Sequence, residues 1–351
     1  MGMIRILLIA DTHLGLDLPF RPRIERRRRG PDFFANFRRA LLPALQAEVD
    51  AVVHGGDLLY RSKVPPQLVE MALEPLKRVA DTGIPIYLVP GNHERSAIPY
   101  GHLAAHPNIY LFDCPRTFFL ETEKGSLALA GFPFVRSGIR KEFLNRLAQT
   151  DCQHVKADTR VLCIHQSVDG ATVGPGGFTF RYSPDVIRAA DIPNGFSAVL
   201  AGHIHRFQVL TRDLKGKSLN APVFYPGSIE RTSFAERNEK KGYLILEFET
   251  QGPSAAILQR WTFHELPARP MIRIQMHAAG MSGRQIQAWI QSRLFEIPQD
   301  SVAQIKVHGN LSEEALRVLS APSLRALAPA TMNINATLVD YDYPAIHRKM
   351  K

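Results

Sequence analysis

Cysteine is scarce in this chain: Cys114, Cys152 and Cys163 are the only three in 351 residues. An odd, scattered set of this kind argues against a disulfide scaffold and leaves metal binding to oxygen and imidazole ligands. No apolar run approaches the roughly 20 residues of a membrane span. The N-terminus enters a strand at once, without the charged region, apolar stretch and cleavage site of a secretory leader, so the expected location is cytoplasmic with no membrane contact. No internal repeat is present. Acidic residues are outnumbered, 33 Asp plus Glu against 43 Lys plus Arg, and the formal charge of +10 favours a polyanionic partner. At this length, with 45% hydrophobic residues, the chain has material for one large domain and a smaller one.

Five short polar clusters stand out in fixed order: Asp11-Thr12-His13, Gly56-Asp57, Gly91-Asn92-His93-Glu94, the isolated His165, and Gly202-His203-Ile204-His205. Each follows a run that reads as a buried strand: Ile4 to Ile9, Ala51 to Val53, Ile84 to Val89, Val161 to Ile164, and Ala198 to Leu200. All five therefore fall just past strand ends. In open α/β sheets that edge is where ligands collect. Taken alone, Asp-x-His or Gly-Asp reads as a turn, and a lone histidine after an apolar run as a core residue. Their joint occurrence at strand ends sets those readings aside.

Asp11, His13, Asp57, Asn92, His165, His203 and His205 present only oxygen and imidazole nitrogen, a set suited to manganese, iron or zinc. Seven such groups exceed the needs of one tetrahedral ion but fit two ions about 3.5–4 Å apart sharing a carboxylate, the arrangement of two-metal phosphoesterases and nucleases. Such a pair can activate water at neutral pH, clamp a phosphoryl oxygen and offset charge during in-line displacement.

This series resembles the calcineurin-like metallophosphoesterases. Within them, Asp11-Thr12-His13-Leu14-Gly15, Gly56-Asp57-Leu58-Leu59, Pro90-Gly91-Asn92-His93-Glu94 and Tyr225-Pro226-Gly227-Ser228-Ile229-Glu230-Arg231 resemble the Mre11/SbcD DNA repair nucleases, as does Glu236 to Lys241 followed by Gly242-Tyr243-Leu244. The resemblance spans about residues 4 to 250. It implies an α/β fold, a β-sandwich flanked by helices in four α/β/β/α layers, with a small C-terminal α/β capping domain. It implies that Asp11, His13, Asp57 and His205 bind one ion, that Asp57, Asn92, His165 and His203 bind the second, and that Asp57 bridges. His93 resembles the family's histidine that contacts the phosphate and protonates the leaving sugar oxygen, a task suited to an imidazole near neutral pH. Manganese is the expected metal. A Rad50/SbcC-type ATPase, DNA and a second copy of the chain are the expected partners, in a bacterial or archaeal cytoplasm at the nucleoid. One departure is Tyr60, where the family often carries a second phosphate-facing histidine; tyrosine donates a hydrogen bond without a positive charge. His54, on the strand before Asp57, reads as a core histidine or one that orients a ligand.

Arg21, Arg23, Arg26, Arg27, Arg28 and Arg29 cluster with Pro19, Pro22, Gly30 and Pro31. This reads as a mobile basic loop able to contact DNA phosphates. Asp32 is placed to cap the next helix, whose Phe34, Phe37, Leu41 and Leu45 form a buried stripe. A second helix from Pro66 to Val79 makes the first third βαβαβ. After Gly131 the pattern is one of mixed strands and loops, with Gly170 to Gly177 as a flexible loop. The expected domains are 1–265, the nuclease unit, and 270–342, the cap, followed by a short basic tail at 343–351. Within the cap the pattern predicts strands Ile272 to His277, Val302 to His308 and Met332 to Asp340, with helices Gly283 to Phe295 and Ser312 to Leu319. Relatives often continue into a helical segment that docks on the ATPase, and the few residues after Tyr343 could not form one, so that contact is expected to be weaker, to use the cap, or to lie in sequence beyond residue 351.

Three functions are compatible with these residues. The favoured one is a two-metal DNA nuclease, 3′ to 5′ on duplex ends and endonucleolytic on single strands, acting in double-strand break repair. The alternatives are a phosphodiesterase of small nucleotides or other phosphoesters, and a non-catalytic binding scaffold. The basic segment and cap favour the nuclease; the complete ligand set disfavours the scaffold.

Overall fold

The structure, a computed structural model, describes residues 2–21, 25–94, 105–250 and 257–339. It divides into two units, one formed by Met1–Leu18 and Gly30–Pro267, the other by Pro19–Arg29 and Ala268–Lys351.

The first unit is built on two six-stranded sheets. One has the order Ile257–Glu265, Gly242–Thr250, Gly2–Ile9, Ala51–His54, Ile86–Leu88, Ile109–Leu111, its last four strands parallel and its first two antiparallel to their neighbours. The other has the order Gln208–Arg212, Ser218–Tyr225, Ala198–Gly202, Thr159–His165, Gly125–Gly131, Arg116–Thr122, with four parallel strands between antiparallel edges.

The period of two in these strands sorts their side chains into layers. Ile4, Ile6 and Leu8 join Val161, Cys163, Ala198 and Leu200 in a core between the sheets. The alternate residues Leu7 and Ile9 face outward onto Phe33, Phe37, Leu73 and Leu76 of the helices Gly30–Ala40 and Pro66–Asp81. On the other side, Leu162, Ile164, Val199 and Ala201 meet Ile139, Phe143 and Leu147 of the helix Ile139–Ala148. The stack is thus helix, sheet, sheet, helix, the four layers expected.

Several local expectations are corrected. The first helix begins at Gly30, which places Asp32 inside its first turn, and it ends at Ala40, with Pro43 in the first turn of a separate short helix, Leu42–Leu45; the stripe itself holds, Phe34, Phe37 and Leu41 being buried in one core with Leu45 against it. The helix Ile139–Ala148 lies where only strands and loops were expected. The glycine-rich stretch holds a two-stranded hairpin, Thr172–Val173 with Phe178–Thr179, in place of a flexible loop.

In the second unit three parallel strands, Met271–His277, Val302–His308 and Asn333–Val339, pack Met276, Ile305 and Val307 against Ile286, Ile290 and Leu294 of the helix Gly283–Phe295. Ser282 and Gln285 close a reciprocal capping box at the start of that helix. The expected helix from Ser312 resolves into Glu313–Val318, capped by Ser312, and an additional helix Ala321–Leu327, capped by Ser320.

The arginine-rich segment is not a free loop. The backbone N–H of Arg27 donates to the Ala330 carbonyl at 3.2 Å, and Asn333 Nδ2 donates to the Arg27 carbonyl at 3.1 Å. Two backbone anchors hold its described part to the C-terminal unit, with an Arg27–Asp300 ion pair at 4.0 Å beside them. Arg23 and residues 340–351, including the basic tail, lie outside the described residues. Among the described residues no helix is long and apolar enough to cross a membrane.

Candidate metal centre

The parallel strands Gly2–Ile9 and Ala51–His54 stay zipped beyond their ends: the N–H groups of Asp11, His13 and Leu14 donate to the carbonyls of Gly56, Asp57 and Leu58 at 2.9, 3.0 and 2.9 Å. This pairing lays the Asp-Thr-His and Gly-Asp clusters side by side. Asp11, His13, Asp57 and His203 all sit at positive φ, 50°, 42°, 55° and 86°. Left-handed backbone costs a non-glycine residue on the order of 1–3 kcal/mol, and its concentration on candidate ligands points to a site where geometry outranks local comfort.

The glycines beside these residues make room. A Cβ on Gly91 would collide with the carboxylate and backbone of Asp57, and one on Gly56 with the His165 ring. His54 supports the turn from behind: its Nδ1 accepts from the Gly56 N–H at 3.2 Å, and its Nε2 lies 3.1 Å from Thr12 Oγ1, which donates to the Leu58 carbonyl.

Into this frame project all seven predicted ligands. Asp11, His13 and His205 form one group able to hold a cation, and Asp11, Asp57 and His165 another. Asp57 Oδ2 is central, 3.9 Å from His13 Nε2, 3.5 Å from His165 Nε2 and 3.9 Å from His93 Nε2. Asn92 Oδ1 lies 3.0 Å from His165 Nε2 and 2.8 Å from His203 Nδ1. The N–H of His203 donates to both Asp11 oxygens at 3.1 Å, and that of His93 to Asp57 Oδ1 at 2.9 Å.

His165 tests whether this set fits a cation. Its Nδ1 faces the Gly55 carbonyl at 2.7 Å, and a carbonyl only accepts, so Nδ1 carries hydrogen. Its Nε2 then faces the oxygens of Asp57 and Asn92, an approach that is repulsive unless something positive lies between. In the metal-free chain a proton fills that need: burial works against charge on His165, yet the Asp57 carboxylate overrides it and raises the imidazole to about 9. His13 and His203 behave oppositely. Burial, reinforced by neighbouring imidazoles, lowers both to about 3, leaving neutral rings with lone pairs to offer. Burial raises Asp57 as well, but His165 and His13 outweigh it and hold it ionised. Two ionisable oxygens and bare imidazole nitrogens converging on a buried point suit a dinuclear divalent site.

Sequence reasoning missed three supporting groups. Glu94 is buried and its carboxylate accepts from the N–H groups of Leu58, Leu59 and Gly91, tying the Asp57 turn to the Asn92 turn; burial and then Asp57 raise it to about 7. Glu236 Oε1 accepts from His205 Nδ1 at 3.1 Å. Phe134 packs on the rings of His165 and His203 with centroids 5.8 and 5.5 Å away. Glu94 stood beside the Gly-Asn-His motif and could have been read as its brace; Glu236 opens the stretch to Lys241 that carries the resemblance, without a role attached to it, and Phe134 carries no local signal. Tyr60, noted as a departure, enters through its backbone: its carbonyl lies 2.5 Å from His93 Nδ1, while its ring packs on the outer helical core.

Residues 4–207 match the family model for calcineurin-like phosphoesterases. The chain belongs to that family. It is also 30% identical over 88% of its length to the DNA double-strand break repair protein Mre11 of Haloferax volcanii, and 28% identical over 78% to the protein of the same name from Aeropyrum pernix. It spans 62% and 64% of the length of these relatives. Among solved structures, a dimetal phosphatase from Danio rerio aligns over 76% of this chain and 96% of its own, at 13% identity and a TM-score of 0.43.

The protonation of His165 has a measurable consequence. A cation must displace its proton, so below about pH 9 binding competes with protonation, and affinity rises with pH toward that value. Calorimetric titration of metal-free protein at pH 7, in buffers of differing ionisation enthalpy, should show net proton release. Binding without proton release would contradict the charge state assigned to His165.

Proposed function

We propose that this calcineurin-like phosphoesterase is a two-metal DNA nuclease of Mre11/SbcD type, trimming duplex DNA ends 3′ to 5′ and nicking single strands, with manganese as the working metal and iron or zinc as substitutes. The observation that carries this reading is the position of Asp57 Oδ2 between two groups of imidazoles, at 3.5 Å from His165 and 3.9 Å from His13. One ion would be held by Asp11, His13, Asp57 and His205, the other by Asp57, Asn92, His165 and His203. When bound, such a pair supplies an activated water at neutral pH and charge neutralisation for a phosphoryl group.

The chain's own residues do the rest. The Asp57 carboxylate, whose Oδ1 accepts from the His93 N–H, would be the ligand common to both ions. His93 is oriented by the Tyr60 carbonyl at Nδ1, which turns Nε2 toward the centre, 3.9 Å from Asp57 Oδ2. In its cationic form it can contact the phosphate and pass a proton from Nε2 to the departing sugar oxygen. With Tyr60 in place of a second histidine, the leaving oxygen depends on this one imidazole. Backbone phosphates suit the arginines at 21 and 26–29 together with Arg23, and the second unit carries that segment. The name of the relatives, DNA double-strand break repair protein Mre11, supports DNA as the substrate class and break repair as the setting. A Rad50/SbcC-type ATPase partner, a homodimer and a cytoplasmic location belong to the same proposal.

His93→Gln should keep both ions and DNA affinity while lowering cleavage of end-labelled duplex in manganese by about 10²–10⁴-fold. Turnover at the wild-type rate removes His93 from the chemistry, and wild-type cleavage of a small phosphodiester alone replaces DNA by a small substrate. Changing Arg26 through Arg29 to Gln should flatten the dependence of log affinity on log salt by about 0.9 for each phosphate no longer neutralised. An unchanged slope reduces the segment to a structural brace.

A further inference from the structure

Lys241 is among the most deeply buried cationic side chains of the first unit, with its ammonium wholly screened from solvent. It lies on the turn that leads into the strand Gly242–Thr250, and it takes no part in the chemistry described above. An ammonium has three protons to donate. At Lys241 Nζ three acceptors are in reach: Glu236 Oε2 at 2.8 Å, Glu239 Oε2 at 3.0 Å, and the backbone carbonyl of His205 at 2.7 Å.

Two of these three bonds lead to the same residue. The first reaches the His205 imidazole indirectly, because Glu236 Oε1 accepts from His205 Nδ1 at 3.1 Å. The third grips the His205 main chain directly. His205 is therefore held at both ends, backbone and ring, by one buried cation and the carboxylate paired with it. Thr232 adds a second restraint, its N–H donating to Glu236 Oε2 at 3.1 Å and its hydroxyl to Glu236 Oε1. With Nδ1 committed to Glu236, the ring presents Nε2 to the centre, 2.9 Å from His13 Nε2.

Charge within the cluster is balanced. Glu239, the remaining partner of Lys241, pairs through Oε1 with Arg206 Nε at 3.0 Å, so two carboxylates face two basic side chains. A buried charge is tolerated when its hydrogen-bonding capacity is filled in this way, and such networks specify one arrangement more than they add stability. The arrangement specified here is that of a single ligand.

We propose that Lys241 and Glu236 are positioning residues for His205, setting the direction of its Nε2 and hence the affinity of the ion it binds, while leaving the ion held by Asn92, His165 and His203 unaffected. This rests on the two-ion reading above. The cluster contacts neither substrate nor metal in that reading and acts through His205 alone.

The test is a titration of metal-free full-length protein with cobalt(II), following the ligand-field absorption of each ion as the two sites fill, for wild type, Glu236→Gln and Lys241→Met. Glu236→Gln keeps the size and an acceptor oxygen but removes the charge; it guards against the case in which Lys241→Met fails to fold. Loss of an outer partner of a metal-bound histidine typically lowers affinity 10–100-fold. The expected result is a loss of that size at one site, with a changed absorption envelope for that ion, and an unchanged constant at the other. Wild-type protein that binds two ions while the variants lose nothing, or lose equally at both sites, overturns the positioning role and leaves the two-ion reading standing. Wild-type protein that binds no cobalt contradicts the two-ion reading and this inference with it.

Discussion

The structure depends on keeping one carboxylate ionised in a dry place. Asp57 is almost wholly buried, at the end of a strand enclosed on both faces, and burial by itself opposes its charge. What sustains that charge is the ring of imidazoles around it, with His165 foremost. The arrangement is self-consistent only with positive charge at the centre: a proton on His165 when metal is absent, a divalent cation when it is present. Other features serve this one requirement. The left-handed turns at Asp11, His13 and Asp57 bring the ligands to the point, Gly56 and Gly91 clear the space, and Glu94 pins two turns together from beneath.

The cluster of candidate ligands was legible in the sequence for a physical reason. Ligands at the carboxyl ends of buried strands leave a sharp boundary between an apolar run and a polar cluster, and five such boundaries in order are difficult to produce otherwise. The four layers follow from the same runs, since strands buried on both faces, such as Thr159–His165, need covers on both sides. What escaped notice is contact across the chain. The stretch Glu236 to Lys241 stood out in the sequence, but its link to His205, more than thirty residues earlier, exists only in the fold. The helix Ile139–Ala148 buries just Ile139, Phe143 and Leu147, one residue per turn, a stripe too thin to distinguish from a loop.

The basic segment shows the opposite error. Six arginines among prolines and glycines read as solvated and mobile because charge and turn formers are what solvated loops contain. The anchors that contradict this are one backbone hydrogen bond to Ala330 and a side-chain bond from Asn333, some three hundred residues away. Composition registers none of them. The chain leaves the first unit after Leu18 and returns at Gly30, and in between it belongs to the C-terminal unit. The described part of this positive charge is thus tied down through the backbone of Arg27 rather than left free.

The most direct test of the account is the number and coupling of the ions. Metal-free protein reconstituted with manganese should bind two ions per chain, and its electron paramagnetic resonance spectrum should show the multiline pattern of two manganese centres exchange-coupled through a shared ligand, as the proposed bridging role of Asp57 predicts. One ion per chain, or two whose spectra are those of isolated centres, would contradict the bridging role of Asp57 on which the rest is built.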